Sequence, residues 1–355
     1  MSNKIKVLMV DDSAVVRLIL RKLLESSNEI EVIGHAKNGK EALELIPKLK
    51  PDVITLDIEM PVMDGLTTLK EIMKMPNPVP VIMVSSLTKD GAEVTLEALN
   101  NGAVDFVTKP SKTISSELEK IKFDLIEKIK AASVTKLSKP SRLTVSKPKV
   151  EKKPIIQAPV TLPEKTKFKA VLIGISTGGP PALQVILPKF PKNFPIPIVV
   201  AQHMPPGFTK PMADRLNKLC PLEVDEAKDG DILKKGKIFI GKAGCHIKIK
   251  KRGSIYYLNI TDEPKDALYH PQVDIMFETA AEVFGGDVIA VIMTGMGSDG
   301  TEGLKKLKAK NAYVIGQDKE TSVIYGMPRS AFEAGVVDIV VPLEKIPEKI
   351  IQKLS

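Results

Sequence analysis

The sequence predicts an α/β protein built from two doubly wound domains in tandem, and three observations carry that expectation. Short, continuously apolar runs alternate with segments of helical period, as strands buried on both faces of a parallel sheet require. The alternation occurs twice, over residues 4–131 and again from Ala170. Between the two, periodicity fails.

The first strand is IKVLMV, followed by Asp11, Asp12 and a helical pattern through Val15, Leu18, Ile19, Leu23 and Leu24. Then come EVIGHA, GKEALELIPKL, DVITLD, DGLTTLKEIMK, PVIMVSS, GAEVTLEALNNG, DFVTKP and a helix around 115–131. Five such units make one five-stranded parallel, flavodoxin-like domain, assigned to residues 1–132. Residues 133–168 follow as a basic linker. Pro140, Pro148, Pro154, Pro159 and Pro163 interrupt a Lys/Ser/Thr-rich stretch whose few large apolar side chains cannot offset its ordering entropy. Ile155 and Ile156 are apolar exceptions suited to docking between domains. The second domain, 169–355, runs through AVLIGIS, IPIVVAQH, KIFIG, SIYYLNI, DVIAVIMTG, AYVIGQD and VVDIVVP. It is expected to be mostly parallel. Antiparallel strands are expected near 238–260, where IFIG, HIKIK and YYLNI follow one another without a helix.

A 43% hydrophobic fraction fits a soluble globular chain of 355 residues. No apolar run approaches the roughly 18 residues of a membrane span, so no membrane insertion is expected. The start, SNKIK passing into VLMV, lacks the shape of a signal peptide. With two cysteines there is no disulfide framework, which suits the cytoplasm. Of the net charge of +9, the stretch from Ser133 to Lys169 holds ten Lys/Arg against two Glu. The basic excess is therefore a solvated linker, and nucleic acid is not an expected partner.

Five residues at four strand ends form the first candidate site: Asp11, Asp12, Asp57, Ser85 and Lys109. Clustered carboxylates repel unless a hard cation such as Mg²⁺ sits among them. A hydroxyl and an ammonium converging on a carboxylate suit a phosphoryl group. Over about residues 4–130 the chain resembles response-regulator receiver domains. The resemblance implies Asp57 as phosphoacceptor, Asp11, Asp12 and Asp57 as the Mg²⁺ site, Ser85 as switching hydroxyl and Lys109 as phosphate partner. Phe106 stands where these domains carry a switching aromatic, and Met60-Pro61 and Asp64-Gly65 match their turn after the acceptor.

In the second domain, Gly174-Ile175-Ser176-Thr177-Gly178-Gly179-Pro180 permits a sharp strand-to-helix turn that exposes a serine hydroxyl. The same glycine turn suits phosphate binding at a helix N-terminus. His203 closes the strand IPIVVAQH and can serve as general base. Asp299, in TGMGSDG, can hold the imidazole tautomer. The order Ser-His-Asp departs from the Ser-Asp-His order of α/β-hydrolases, so that fold is not expected. An N–H near Gly295-Met296-Gly297 or after Ser176 can donate to an oxyanion.

The motifs GISTGGP, QHMPPGFT and TGMGSDG, in that order behind a receiver, closely resemble the chemotaxis protein-glutamate methylesterases of the CheB family. The resemblance implies Ser176 as nucleophile, His203 as base, Asp299 as orienting acid, Met296 as backbone oxyanion donor and Thr177 as a supporting pocket residue. It also implies hydrolysis of glutamate γ-methyl esters on chemoreceptor helices with release of methanol, deamidation of receptor glutamines, and a chemotaxis histidine kinase as phosphodonor. The esterase site is expected to need no cofactor and the chain to be a monomer. His270 reads as a pocket-lining or receptor-facing residue, and His246 and His35 as structural. Gln317, Tyr325, Met327 and Arg329 fall near a strand end and can shape the substrate face. The competing reading is a receiver-gated nucleotide- or phosphate-binding module without catalysis.

Overall fold

The computed structural model describes residues 4–86, 88–110, 115–135 and 166–354. Most of the expected linker, 136–165 with Ile155 and Ile156, lies outside the described residues.

In the N-terminal half, β1 (Ile5–Val10), β2 (Ile30–Ala36), β3 (Val53–Asp57), β4 (Val81–Ser85) and β5 (Asp105–Thr108) alternate with α1 (Ala14–Glu25), α2 (Gly39–Leu49), α3 (Gly65–Lys74), α4 (Lys89–Asn100) and α5 (Ser115–Ser133). The strands form one parallel sheet in the order β2-β1-β3-β4-β5. β3 and β4 are buried at every residue, because VITLD and VIMVS are covered on both faces and have no polar side to turn to water. Helix starts are fixed locally. The side chains of Ser13, Asn38, Asp64 and Thr88 accept the N–H groups of Val16, Glu41, Thr67 and Gly91, each satisfying a donor the helix leaves unpaired. Strand order reverses between β1 and β3, which opens a crevice at their carboxyl ends.

The C-terminal half holds β6 (Ala170–Ile175), α6 (Gly179–Ile186), β7 (Ile198–Gln202), α7 (Thr209–Leu219), β8 (Glu223–Glu226), β9 (Lys237–Ile240), β10 (His246–Arg252), β11 (Ile255–Thr261), α8 (Val273–Phe284), β12 (Val288–Ile292), α9 (Thr301–Lys308), β13 (Tyr313–Gln317), α10 (Met327–Glu333), β14 (Ile339–Val341) and α11 (Ile346–Leu354). Its seven-stranded sheet runs β14-β13-β12-β6-β7-β9-β8 with every pairing parallel. Among the described residues the antiparallel strand pair is the β10–β11 hairpin, a sheet of its own, and Ile232 adds one isolated antiparallel bridge to its Tyr257. The IFIG segment thus belongs to the parallel sheet and not to an antiparallel group. All four residues of β9 are buried, so it needs cover on both faces. The short acidic strand β8 (EVDE) escapes the sequence reading because only Val224 is buried in it.

The two halves share one apolar core, continuous from Leu99 and Phe106 through Phe208 and Met212 to Leu183. Among the described residues no helix is long and apolar enough to cross a membrane.

Candidate active site and phosphoacceptor site

Asp11 follows β1, Asp57 and Ser85 end β3 and β4, and Lys109 follows β5, so the sheet brings all four to one rim. Lys109 Nζ lies 2.7 Å from Asp57 Oδ2 and 3.8 Å from Asp11 Oδ2. Burial pushes the Asp57 carboxyl up to about 6, opposed by the Lys109 hydrogen bond and assisted by the charge of Asp11. Carboxylate oxygens of Asp11, Asp12 and Asp57 lie within 4.8 Å of one another. Asp11 Oδ2 is buried without a hydrogen-bond partner. An all-oxygen anionic set with an unsatisfied buried acceptor fits a hard divalent cation such as Mg²⁺. At Gly65 an added Cβ would sit 1.9 Å from the Asp57 carbonyl oxygen, so only glycine lets α3 begin this close to the acceptor.

Two of the expected switch residues face elsewhere. The Ser85 hydroxyl points into α4, accepting from Thr95 Oγ1 at 2.7 Å and lying 3.4 Å from the Gly91 carbonyl. Phe106 faces the C-terminal half, its ring centroid 4.4 Å from that of Phe208.

Ser176, His203 and Asp299 follow β6, β7 and β12, which are neighbours in the sheet. His203 Nδ1 lies 3.2 Å from Ser176 Oγ, and Nε2 lies 2.6 Å from Asp299 Oδ2. Asp299 also accepts the N–H groups of Val273 (2.7 Å) and Asp274 (2.9 Å) in the first turn of α8. Burial pushes its carboxyl up, but the hydrogen bond and charge of His203 and these two N–H groups outweigh burial and hold Asp299 below the ordinary carboxylate range. An ionised Asp299 can only accept, so His203 Nε2 carries the proton and Nδ1 presents its lone pair to the Ser176 hydroxyl. The ring nitrogens are exchanged relative to serine proteases, where Nε2 faces serine. The relay works either way round.

The serine turn is held from three sides. Gly178 adopts φ +78°, and a Cβ there would lie 2.6 Å from Val323. Gln202, buried at the end of β7, donates Nε2 to the carbonyls of Ser176 (3.0 Å) and His203 (2.8 Å), tying the two candidate residues together. Gln202 is not among the residues its sequence pattern singles out. Its one signal is an amide closing an otherwise apolar strand. Gly295 packs directly on Ser176, since a Cβ there would lie 2.7 Å from Ser176 Cβ. Gly326 closes on the Met296 backbone and, with Met327, donates its N–H to the Gly295 carbonyl. Gln317 supports the same loop by accepting the Thr294 N–H at 2.9 Å.

Thr177 differs from the expectation of a pocket residue. Its side chain is buried and donates to Asp105 Oδ2 of β5 at 2.5 Å. Asp105 in turn lies 3.5 Å from Lys128 Nζ, which is 3.0 Å from Asp124 and 2.7 Å from the Phe106 carbonyl. Gln184 of α6 donates to Asn100, the last residue of α4, at 2.9 Å. The remaining candidates divide. His246 is fully buried, as a structural residue should be, while Arg329 pairs with Glu333 in solvent.

A CheB methylesterase family model matches residues 171–350, and a response regulator receiver domain model matches residues 7–120. The chain belongs to the CheB methylesterase family. A relative from Halalkalibacterium halodurans, named protein-glutamate methylesterase/protein-glutamine glutaminase, is 46% identical over 353 residues, 99% of each chain. A Thermotoga maritima protein of the same name is 47% identical over 98% of each chain. The crystal structure of the Thermotoga maritima CheB methylesterase catalytic domain is 47% identical, with a TM-score of 0.51, and covers 52% of this chain and 98% of that one. In this CheB family chain the three motifs of the C-terminal half, GISTGGP, QHMPPGFT and TGMGSDG, therefore meet at one point in space.

Proposed function

We propose that the chain is a phosphorylation-activated protein-glutamate methylesterase and protein-glutamine glutaminase acting on chemoreceptor cytoplasmic helices. The observation that carries this is the unbroken hydrogen-bonded chain Ser176–His203–Asp299 at the ends of neighbouring strands. In this reading Ser176 Oγ attacks the carbonyl of a glutamate γ-methyl ester as its proton passes to His203 Nδ1. Asp299 stabilises the imidazolium, and the Met296 N–H donates to the oxyanion. The intermediate collapses, and methanol leaves with the proton from His203. Water, activated by His203, then hydrolyses the acyl-enzyme to the γ-carboxylate. The same steps on a glutamine amide release ammonia.

Residues 1–132 act as the receiver, 133–168 as the linker and 169–355 as the esterase, in a cytoplasmic monomer. Asp57 accepts phosphate from a histidine kinase. Asp11, Asp12 and Asp57 would hold Mg²⁺, which when bound screens the charge between carboxylate and phosphoryl oxygens. In this reading Lys109 pairs with the phosphate and Ser85 leaves α4 for it. The unphosphorylated receiver restrains the esterase through Asp105–Thr177, Phe106–Phe208 and Asn100–Gln184. A ligand or modification shifts such an equilibrium only by what it adds to one state over the other. The phosphate-binding alternative leaves His203 and Asp299 without roles, and the Ser176 and Gly179 N–H groups are already spent on the carbonyls of Thr294 and Ser176.

The test is methanol release from methylated receptor membranes. Ser176→Ala is expected to abolish it, while Asp57→Ala keeps basal turnover and loses activation by a phosphodonor. Undiminished release by Ser176→Ala would overturn the proposal.

A further inference from the structure

Tyr269, in the loop between β11 and α8, lies flat on the imidazole of His203, with ring centroids 4.2 Å apart and planes 13° from parallel. The hydrogen bonds of His203 run through its two ring nitrogens, whose donor and acceptor directions lie in the plane of an imidazole. They fix where its nitrogens sit but do little to stop the ring tilting about the line joining its two partners. A flat ring pressed on one face opposes that tilt.

The loop is built to keep Tyr269 there. His246, fully buried, lies 3.0 Å from the Pro264 carbonyl through Nε2 and accepts the Gln272 N–H at Nδ1. With Nδ1 accepting, Nε2 is the protonated nitrogen and donates to Pro264. The ring of His270 packs on His246 at 4.3 Å, and its carbonyl accepts the Gly244 N–H at 3.0 Å. The loop is thus pinned at 264, 270 and 272, on both sides of Tyr269. Those same anchors lead into Val273 and Asp274, whose N–H groups hold Asp299. One buried histidine therefore braces both the face and the acid of the His203 ring. Burial, followed by the charges of Asp299 and of Asp124 and Glu127 on α5, pushes the Tyr269 phenol up, with Lys128 opposing. The phenol stays neutral, and its ring keeps an undisturbed π face.

We infer that Tyr269 is a positioning residue for His203, holding the imidazole in the plane of the Ser176–Asp299 relay and presenting a π face to the imidazolium that forms when the Ser176 proton is taken. The inference rests on the Ser176–His203–Asp299 reading. Its effect falls on the chemical step and not on substrate binding, because the stack gains strength only when the imidazole is charged. The aromatic ring is what matters, and the hydroxyl is dispensable.

The experiment is steady-state methanol release from a receptor fragment carrying glutamate γ-methyl esters, using the phosphorylated full-length chain. Tyr269→Leu is expected to lower kcat by about 10-fold with KM within about twofold, between the exposed and desolvated scales of a cation–π contact. Tyr269→Phe should restore kcat to within about twofold of the parent. Should the leucine variant fail to fold in a thermal melt, Tyr269→Gln, flat but without a π quadrupole, carries the same decision. The inference is overturned if the leucine or glutamine variant keeps its kcat, if only KM changes, or if phenylalanine fails to rescue. Ser176→Ala run in parallel separates the two levels. An active Ser176→Ala sinks the reading itself, whereas an inactive Ser176→Ala beside a fully active Tyr269→Leu sinks only the role of Tyr269.

Discussion

Removing the Asp105 carboxylate should release the esterase half without any phosphorylation. Asp105 Oδ2 accepts a 2.5 Å hydrogen bond from Thr177, the residue after Ser176. Both residues are buried, at 8% and 4% exposure. A hydrogen bond to a charged acceptor contributes about 1.5–3 kcal/mol. The Lys128 pairing changes the total little, because Lys128 keeps Asp124 at 3.0 Å and the Phe106 carbonyl at 2.7 Å. A loss of about 2 kcal/mol lowers the closed-to-open ratio by about 30-fold. If about 1% of resting molecules are open, Asp105→Ala raises that to about a quarter, so basal turnover climbs more than tenfold. The assay is methanol release by the full-length variant without a phosphodonor, compared with the same variant after treatment with an acyl phosphate. Asp105→Asn, which keeps an accepting oxygen, should fall between the alanine variant and the parent. A folded Asp105→Ala protein that activates normally but shows unchanged basal turnover would refute the argument that this contact restrains the site.

Three further outcomes follow from the site. Asp299→Asn should lower kcat by about 10⁴, since an amide cannot fix the His203 tautomer as a carboxylate does; steady-state kinetics on the phosphorylated chain measure it. Gly295→Ala would place a methyl 2.3 Å from Met327 Sδ and 2.7 Å from Ser176 Cβ, so turnover should fall by about 100-fold or more in a protein that still shows its native circular dichroism. Asp274 is pushed up to about 6 by burial, with its Gly303 hydrogen bond opposing and the Asp299 charge adding to the rise. A carboxyl raised in the folded state costs stability as pH climbs from its unfolded value through about 6. Asp274→Asn should therefore melt higher above pH 6 by about 3–5 °C, corresponding to about 1–1.5 kcal/mol after allowance for solvent screening, with the difference vanishing toward pH 4. An equal gain at both pH values would contradict this.

Much of the architecture was legible because parallel sheets write themselves as continuous apolar runs. VITLD, VIMVS and AVLIGI are buried residue for residue. Strand-end polar residues were legible for the same reason, since an Asp or His closing such a run has nowhere to go but the rim. What escaped was whatever depends on one element meeting another far away in sequence. Thr177 sits in a motif that looks like a pocket lining, yet its hydroxyl is taken by Asp105, 72 residues earlier. Tyr269 has no local pattern and Gln202 only its place at the end of an apolar strand, and each gains its meaning from the ring or carbonyls it meets across the fold. β8 was hidden because an edge strand with one buried residue carries no period.

The order Ser-His-Asp along the chain does not match the spatial order of the strands. In the sheet, β6 with Ser176 lies between β7 with His203 and β12 before Asp299, so the strand bearing the middle member of the relay is at one side. A relay running serine to histidine to acid then requires the acid to cross over the serine strand. The segment from Met293 to Ser298 makes that crossing, and its composition follows from the demand. Gly295 must lie against Ser176, while Gly297 at φ +76° and Gly300 at φ +96° turn the chain where side chains are disfavoured. Met296, the candidate oxyanion donor, is the next residue along the chain after the glycine that packs on Ser176. One loop therefore carries both the acid and the candidate oxyanion donor. Substitutions along it should disturb orientation of His203 and oxyanion stabilisation together, which predicts non-additive losses when Gly295 or Gly297 variants are combined with Asp299→Asn.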